Sequence, residues 1–315
     1  MADQIISTEF KEVLRGEITK DLLPDNGFLS KSNNDSKWVE NDVVHKPQRT
    51  DALPGIEINR EVIPATVTQR VYGNKDLTLN EFSGDPVAIT VNEQKLTNVN
   101  LRKTLAEDQA NSLNQKFADY TLQVWPTTGA ANLNAGAFSQ TLTTGASRAV
   151  DISEITGTRK AITKADILRI MKKMDRDNVP MTGRQALVTP QQAEDMVLID
   201  GFVKADELGI SKSNLIDGFV GRIAGFDFIK RSRVGFYNAA GQDLRVLDET
   251  IQVTDSEFAL FWHPRFVSHA LGSTQSFFTK GDPTVYGDIY SFVARFGAMR
   301  ERLDMAGVVS LIEAT

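Results

Sequence analysis

The residues best suited to chemistry are three histidines, His45, His263 and His269, in a chain that contains no cysteine. His263 and His269 would share a face if the chain around Trp262-His263-Pro264-Arg265-Phe266 ran as one strand, but Pro264 interrupts it. Two imidazoles fall short of the protein ligands that a zinc site needs, and no HExxH pattern adds to them. They read as structural histidines, with His45 at the surface. No metal is expected.

Gly218-x-x-Gly221-x-x-x-Gly225 is the one glycine cluster that resembles a phosphate loop. A dinucleotide-binding loop follows a strand and opens a helix, whereas this cluster precedes the strand-like run Phe226-Asp227-Phe228-Ile229-Lys230. It reads as a glycine-marked loop feeding a strand, and no cofactor is expected. The carboxylate pairs Glu107-Asp108 and Asp206-Glu207 are sequence neighbours, so on a helix they point apart. No GxSxG or SxxK element of an acyl-transfer enzyme occurs. Arg295, Arg300 and Arg302 are interleaved with Glu301 and Asp304, which suits a solvated or subunit-contacting face better than nucleic acid. The chain reads as one without a catalytic site. An acid/base hydrolase assembled from distant carboxylates is the remote alternative.

The 315 residues carry a net charge of -6, with 41% hydrophobic and 24% charged side chains, a balance that builds a packed core and excludes disorder along the whole length. The acidic balance argues against a free DNA-binding protein, which displaces counterions with a basic face. It leaves room for a wall that encloses DNA without adhering to it. The first residues lack the basic-then-apolar pattern of a signal peptide, and no apolar run spans a bilayer. A soluble protein made in a reducing cytoplasm is expected, with no membrane partner.

The elements that would position these residues follow from periodicity. Leu23 to Asn59 shows no sustained period and is punctuated by Pro24, Pro47 and Pro54, so it reads as a functional arm, with a mobile terminus as the alternative. Residues 61 to 97 read as a long hairpin. Val67, Gln69 and Val71, then Val87, Ile89 and Val91, alternate with smaller or polar residues around turn-rich Gly73-Asn74-Lys75-Asp76 and Ser83-Gly84-Asp85-Pro86. A two-stranded hairpin is marginal in water, so its apolar face must rest on something.

Leu101, Leu105, Leu113, Phe117, Tyr120 and Val124 recur at helical spacing, capped by Asn98 or Asn100 and stopped at Pro126. A helix of that length, about 25 residues, spans a domain. Pro126 to Ser147 carries no charge and reads as a loop or an irregular packed segment. Thr163 and Asp166 form a capping-box pattern ahead of Ile167, Ile170, Met171 and Met174. Gln185 to Thr189 reads as a strand ending at a helix N-terminus, Thr189-Pro190-Gln191-Gln192, with the helix running to Asp200. Phe258 to Trp262 reads as a strand buried on both faces, and Tyr290 to Arg302 and Val308 to Ile312 as two more. Strands mixed with helices, without regular βαβ alternation, predict an α+β fold.

Three stretches in this order carry a resemblance. They are the hairpin leading into Asn111-Ser112-Leu113-Asn114-Gln115-Lys116-Phe117, the run Gly221-Arg222-Ile223-Ala224-Gly225-Phe226-Asp227-Phe228-Ile229, and Glu257-Phe258-Ala259-Leu260-Phe261-Trp262-His263 with the late strands. Over nearly its whole length the chain resembles the major capsid proteins of tailed bacteriophages, with the Hong Kong 97-like fold. That resemblance implies an N-terminal arm at 1–60, an extended hairpin loop at 61–97 and a peripheral domain with a spine helix at 98–159. An axial domain at 160–263 and a return through the peripheral domain at 264–315 complete it.

It also implies self-assembly into the hexamers and pentamers of an icosahedral shell around double-stranded DNA, located in the virion and synthesised in a host bacterium. Scaffolding, portal and decoration proteins would be its other partners, and the packaged DNA would be touched only weakly. An encapsulin-type compartment or another virion structural protein are the alternatives. Trp38, Val67, Val71, Phe82, Val87 and Ile89 are the expected subunit-interface residues, with Phe82 near the hairpin tip. On this reading residues 24 to 97 cannot cover their own apolar surface. Deleting 65 to 91 should then leave a folded body that forms no shells.

Overall fold

The computed structural model describes residues 26–49, 58–59, 69, 71–91, 101–126, 139–199, 203–204, 219–238, 243–246, 249–302, 304 and 306–315. In chain order β1 (Asn33–Asn34), β2 (Val43–Arg49), β3 (Tyr72–Thr78), β4 (Asn80–Ser83) and β5 (Val87–Thr90) precede helix α1 (Leu101–Val124). Next come β6 (Gln140–Leu142), β7 (Ser147–Ala149), β8 (Thr158–Lys160), α2 (Lys164–Arg176), β9 (Arg184–Val188) and α3 (Pro190–Val197). β10 (Val203–Lys204), β11 (Phe219–Ile223), β12 (Phe226–Lys230), β13 (Phe236–Tyr237) and β14 (Ser256–Trp262) lead to β15 (Val267–Asp282), β16 (Gly287–Arg300) and β17 (Val308–Ile312).

An eight-stranded sheet runs β10-β11-β12-β9-β14-β17-β6, with β13 added on β14. Every residue of β9, β14 and β17 is buried. Alternation explains why: Ala186, Val188, Ala259, Phe261, Val309 and Leu311 point to one face. There they meet Ile167, Ile170 and Met174 of α2 and Ala193 and Met196 of α3. Leu187, Phe258, Leu260, Trp262, Val308 and Ile312 point the other way, onto Phe117, Ala118 and Leu122 of α1 and onto Trp125. Helices on both faces are what let a run such as Phe258 to Trp262 be apolar without alternation. Each of the larger of these side chains, Val, Leu, Ile, Met or Phe, contributes about 1.5–3 kcal/mol by burial.

The local signals for the helices hold. Thr163 and Asp166 make a reciprocal capping box at α2. At α3, Pro190 occupies the first turn and Gln192 Oε1 accepts the Thr189 amide at 3.2 Å. Helix α3 ends at Val197, short of the expected Asp200, which lies outside the described residues. Helix α1 follows the predicted apolar spacing to Val124, while Asn98 and Asn100 also lie outside the described residues. The glycine run at 221–225 closes a hairpin, rather than a loop feeding a strand. Ile223 pairs with Phe226 across Ala224 (φ 50°) and Gly225 (φ 79°), a two-residue turn of the kind that matches strand twist.

A second, five-stranded sheet is organised by the long hairpin β15–β16, with β1 on the outer side of β15 and β4 and β5 in succession on β16. Here the predicted hairpin at 61–97 is corrected. β3 pairs antiparallel with β2, from Val43↔Thr78 to Arg49↔Tyr72, so the ribbon joins the supposed arm to the supposed loop. β4 and β5 pair with β16 and not with β3. Period-two alternation identifies a strand and says nothing of its partner. Pro47 is tolerated in β2 because a two-stranded ribbon leaves one edge of each strand unpaired.

Candidate subunit interface

The arm residues from Asn26 onward are tied to the body by side chains that need burial or neutralisation. Phe28 is fully buried between Trp125 and Trp262, with ring centroids 6.0 Å and 6.4 Å away. Trp262 Nε1 donates to the Lys31 carbonyl at 2.8 Å, and β1 pairs parallel with β15 at Asn33↔Ser268 and Asn34↔His269. The Ser32 hydroxyl lies 2.8 Å from His269 Nδ1. Lys46 of β2 reaches both Asp35 and Glu301, closing the arm against the end of β16. Arg231, buried in the core, takes Asp119 of α1 at 2.7 Å and Asn26 Oδ1 at 3.2 Å.

The base of the β2–β3 ribbon has its own small core, in which Val44, Leu77 and Leu79 pack on Ala270 and Met299 of the long hairpin. Arg295 pairs with Asp42 beside it. The described residues of 24–97 therefore bury apolar side chains against the rest of their own chain, whereas the expectation was that they borrow burial from other copies. The ribbon runs outward to Arg49↔Tyr72, and residues 50 to 70 join its two strands.

The six expected interface residues divide. Phe82 sits on β4 rather than at a hairpin tip. It packs edge-on to Phe117 at 5.2 Å and Tyr120 at 5.6 Å, inside its own chain. Ile89 is buried at 7% exposure where β5 lies on β16. Part of the cover that a second copy was expected to supply to these two residues thus comes from their own chain. Trp38 (62% exposed), Val71 (56%) and Val87 (38%) keep apolar surface facing out, and Val67 lies outside the described residues. Tyr72, 62% exposed at the outer end of the ribbon, is a surface aromatic that sequence reasoning missed. Its neighbours Gly73 and Asn74 read as a turn, which hid the strand.

The candidates for chemistry are placed as follows. His263 accepts the Arg265 amide at its own 3₁₀ turn, and its Nε2 is 3.1 Å from the Thr182 carbonyl. His269 belongs to the arm contact, and His45 pairs with Asp76 at 2.7 Å on the exposed ribbon. Among the described residues no group of three or more His, Cys, Asp or Glu side chains converges on a metal-sized site. Arg295 and Arg302 are matched to acids of their own chain, Asp42 and Asp304. Glu107 and Asp108 lie on α1, and Asp206 and Glu207 outside the described residues. Burial lowers the Lys75 amine below its usual range, with Arg300 adding repulsion, while its ammonium donates to the Arg302 carbonyl at 3.1 Å.

No family model and no curated protein matches the sequence. Solved structures do. The capsid of Ralstonia phage GP4 superposes with a TM-score of 0.63 at 13% identity, covering 95% of this chain and 94% of that one. The capsid of cyanophage P-SCSP1u gives 0.62 at 14% identity over 97% and 94%. The capsid of a native gene transfer agent (GTA) particle gives 0.60 at 9% identity over 100% of both chains. The chain has the α+β capsid fold of these structures.

Proposed function

We propose that this chain is a major capsid protein, whose copies assemble into the icosahedral shell enclosing the double-stranded DNA of a tailed phage. The observation that carries the reading is fold likeness to capsid subunits over almost the full length of both chains. A closed shell needs each subunit to reach several neighbours through contacts that close by symmetry. The β2–β3 ribbon, paired as far as Arg49↔Tyr72, supplies that reach in place of the expected hairpin at 61–97. Trp38, Val71, Tyr72 and Val87 are the surface that a second copy covers. On this reading the five-stranded sheet belongs to the peripheral domain and the eight-stranded sheet with α2 and α3 to the axial domain. The axial part then takes in β6 and β17 from outside the expected 160–263, and α1 packs against both sheets. In this role the chain binds no cofactor and carries out no catalysis. It is located in the virion.

Electron microscopy of the expressed full chain tests the reading. Spherical particles or capsomer rings are expected, and particles that carry protein cargo instead of DNA would move the assignment to an encapsulin-type compartment. A compact monomer that persists at high concentration overturns it. Replacing the chain between Arg49 and Tyr72 by a two-residue hairpin turn is the informative change, expected to leave a folded subunit that forms no shells. The deletion of 65 to 91 now carries a different expectation. It would take away β3, β4 and β5 and with them the buried Leu77, Leu79 and Ile89, so the body itself should unfold.

A further inference from the structure

We propose that Glu257 and Glu313 form a proton-operated clamp on the N-terminal turn of α3, closed when the pair holds a proton and loosened when both carboxylates are charged. Glu257 belongs to β14, and Glu313 follows β17, the strand beside it. The Glu313 amide donates to the Glu257 carbonyl at 3.0 Å, so the two residues are joined through the backbone at the edge of the same strand pair. Both are buried, at 4% and 2% exposure. Both side chains turn to the start of α3. Thr189 Oγ1 donates to Glu257 Oε2 at 3.0 Å, and Gln192 Nε2 donates to Glu313 Oε1 at 3.1 Å. Thr189 is the N-cap of α3 and Gln192 the residue whose side chain holds the cap amide.

The charges around the pair do not balance. Arg148 of β7 donates to Glu313 at 2.7 Å, but its Nε is taken by both oxygens of Asp195 in α3, at 2.9 Å and 3.0 Å. Arg233, between β12 and β13, adds a weaker attraction for Glu257. From β8, Arg159 spends its donors on Ser256 Oγ and the Asp255 carbonyl, and the Asp255 carboxylate is held by Arg245. Three acids, Asp195, Glu257 and Glu313, thus share chiefly one guanidinium. A buried carboxylate without its own cation takes up a proton in preference to staying charged. Burial, and then the Glu313 charge, lift the Glu257 carboxyl to about 7, and burial lifts Glu313 in the same direction.

The sign follows from linkage. An opened clamp exposes Glu257 to water and restores its ordinary value of 4.5, so opening releases a proton between that value and about 7. The opening constant of α3 should rise about 40-fold between pH 5 and pH 7 and level off about one pH unit higher. Hydrogen exchange of the full chain, corrected for the intrinsic pH dependence of amide exchange, reads this at residues 189–197. Glu257→Gln keeps the shape and a hydrogen-bonding group for Thr189, and should remove most of the pH step. A step of equal size in Glu257→Gln, or no step in the natural sequence, overturns the clamp. If the variant does not fold, infrared spectroscopy of the natural chain decides. A protonated carboxyl band should persist at pH 6 and disappear at alkaline pH, and its absence at pH 6 refutes the proposal.

Discussion

Phe28 stands edge-on to Trp125, with planes 88° apart and centroids separated by 6.0 Å. One ring comes from the arm and the other from the end of the longest helix, and both are completely buried. The start of the described chain is thereby built into the central core, beneath the same sheet that carries Trp262.

Phe28→Ala should therefore cost about 3–5 kcal/mol, the range for a large aromatic removed from a closed site. Chemical denaturation would measure the loss. Faster proteolysis within 26–49 should accompany it, and an unchanged unfolding midpoint would show that the core closes without the ring.

Ala224 holds a left-handed backbone (φ 50°) in the β11–β12 turn, a conformation that a Cβ disfavours. Ala224→Gly should raise stability by about 0.5–1 kcal/mol, the turn strain relieved less the added freedom of the unfolded chain. Thermal melting tests this, and a lowered midpoint contradicts it.

Trp38 and Tyr72 offer exposed rings with little to lose inside the subunit. Alanine at either position should leave folding stability within about 0.5 kcal/mol while lowering the yield of particles in sedimentation and microscopy. A full yield of normal particles from the double variant would remove both from the interface.

Burial lowers the His269 imidazole below its usual value of 6.5, although Asp35 pulls the other way. The folded state thus prefers the neutral ring. Its contribution is intact above 6.5 and is lost as the solution is acidified below that value. Arm residues near Ser32 and β1 should become more susceptible to protease at pH 5.5 than at pH 7.5, and His269→Gln should flatten the difference. An equal acid response in the variant places the titrating group elsewhere.

What the sequence disclosed was local. Thr163 with Asp166, and Thr189-Pro190 with Gln192, mark helix starts because a cap is satisfied within three residues. The run Phe258 to Trp262 declares a strand covered on both sides, because polar residues would otherwise alternate with apolar ones. The pairing of strands was hidden, since β2 with β3 and β5 with β16 depend on contacts between distant segments. β15 escaped notice for a compositional reason: Gly272-Ser273-Thr274-Gln275-Ser276 has no apolar alternation, and most of its outer half is exposed. The cover found inside the subunit was hidden in the same way. Phe82 and Ile89 are apolar because β16 and α1 lie over them, which no pattern within 61–97 reveals.

The position of β17 has a consequence for synthesis. It is inserted between β14 and β6, so the larger sheet cannot close until residues 308–312 have left the ribosome. A nascent chain holds β14 with one edge vacant and the apolar side chains of its core unmatched. Fragments that stop before Val308 lack the strand that joins β6 to β14, so in them the larger sheet stays open.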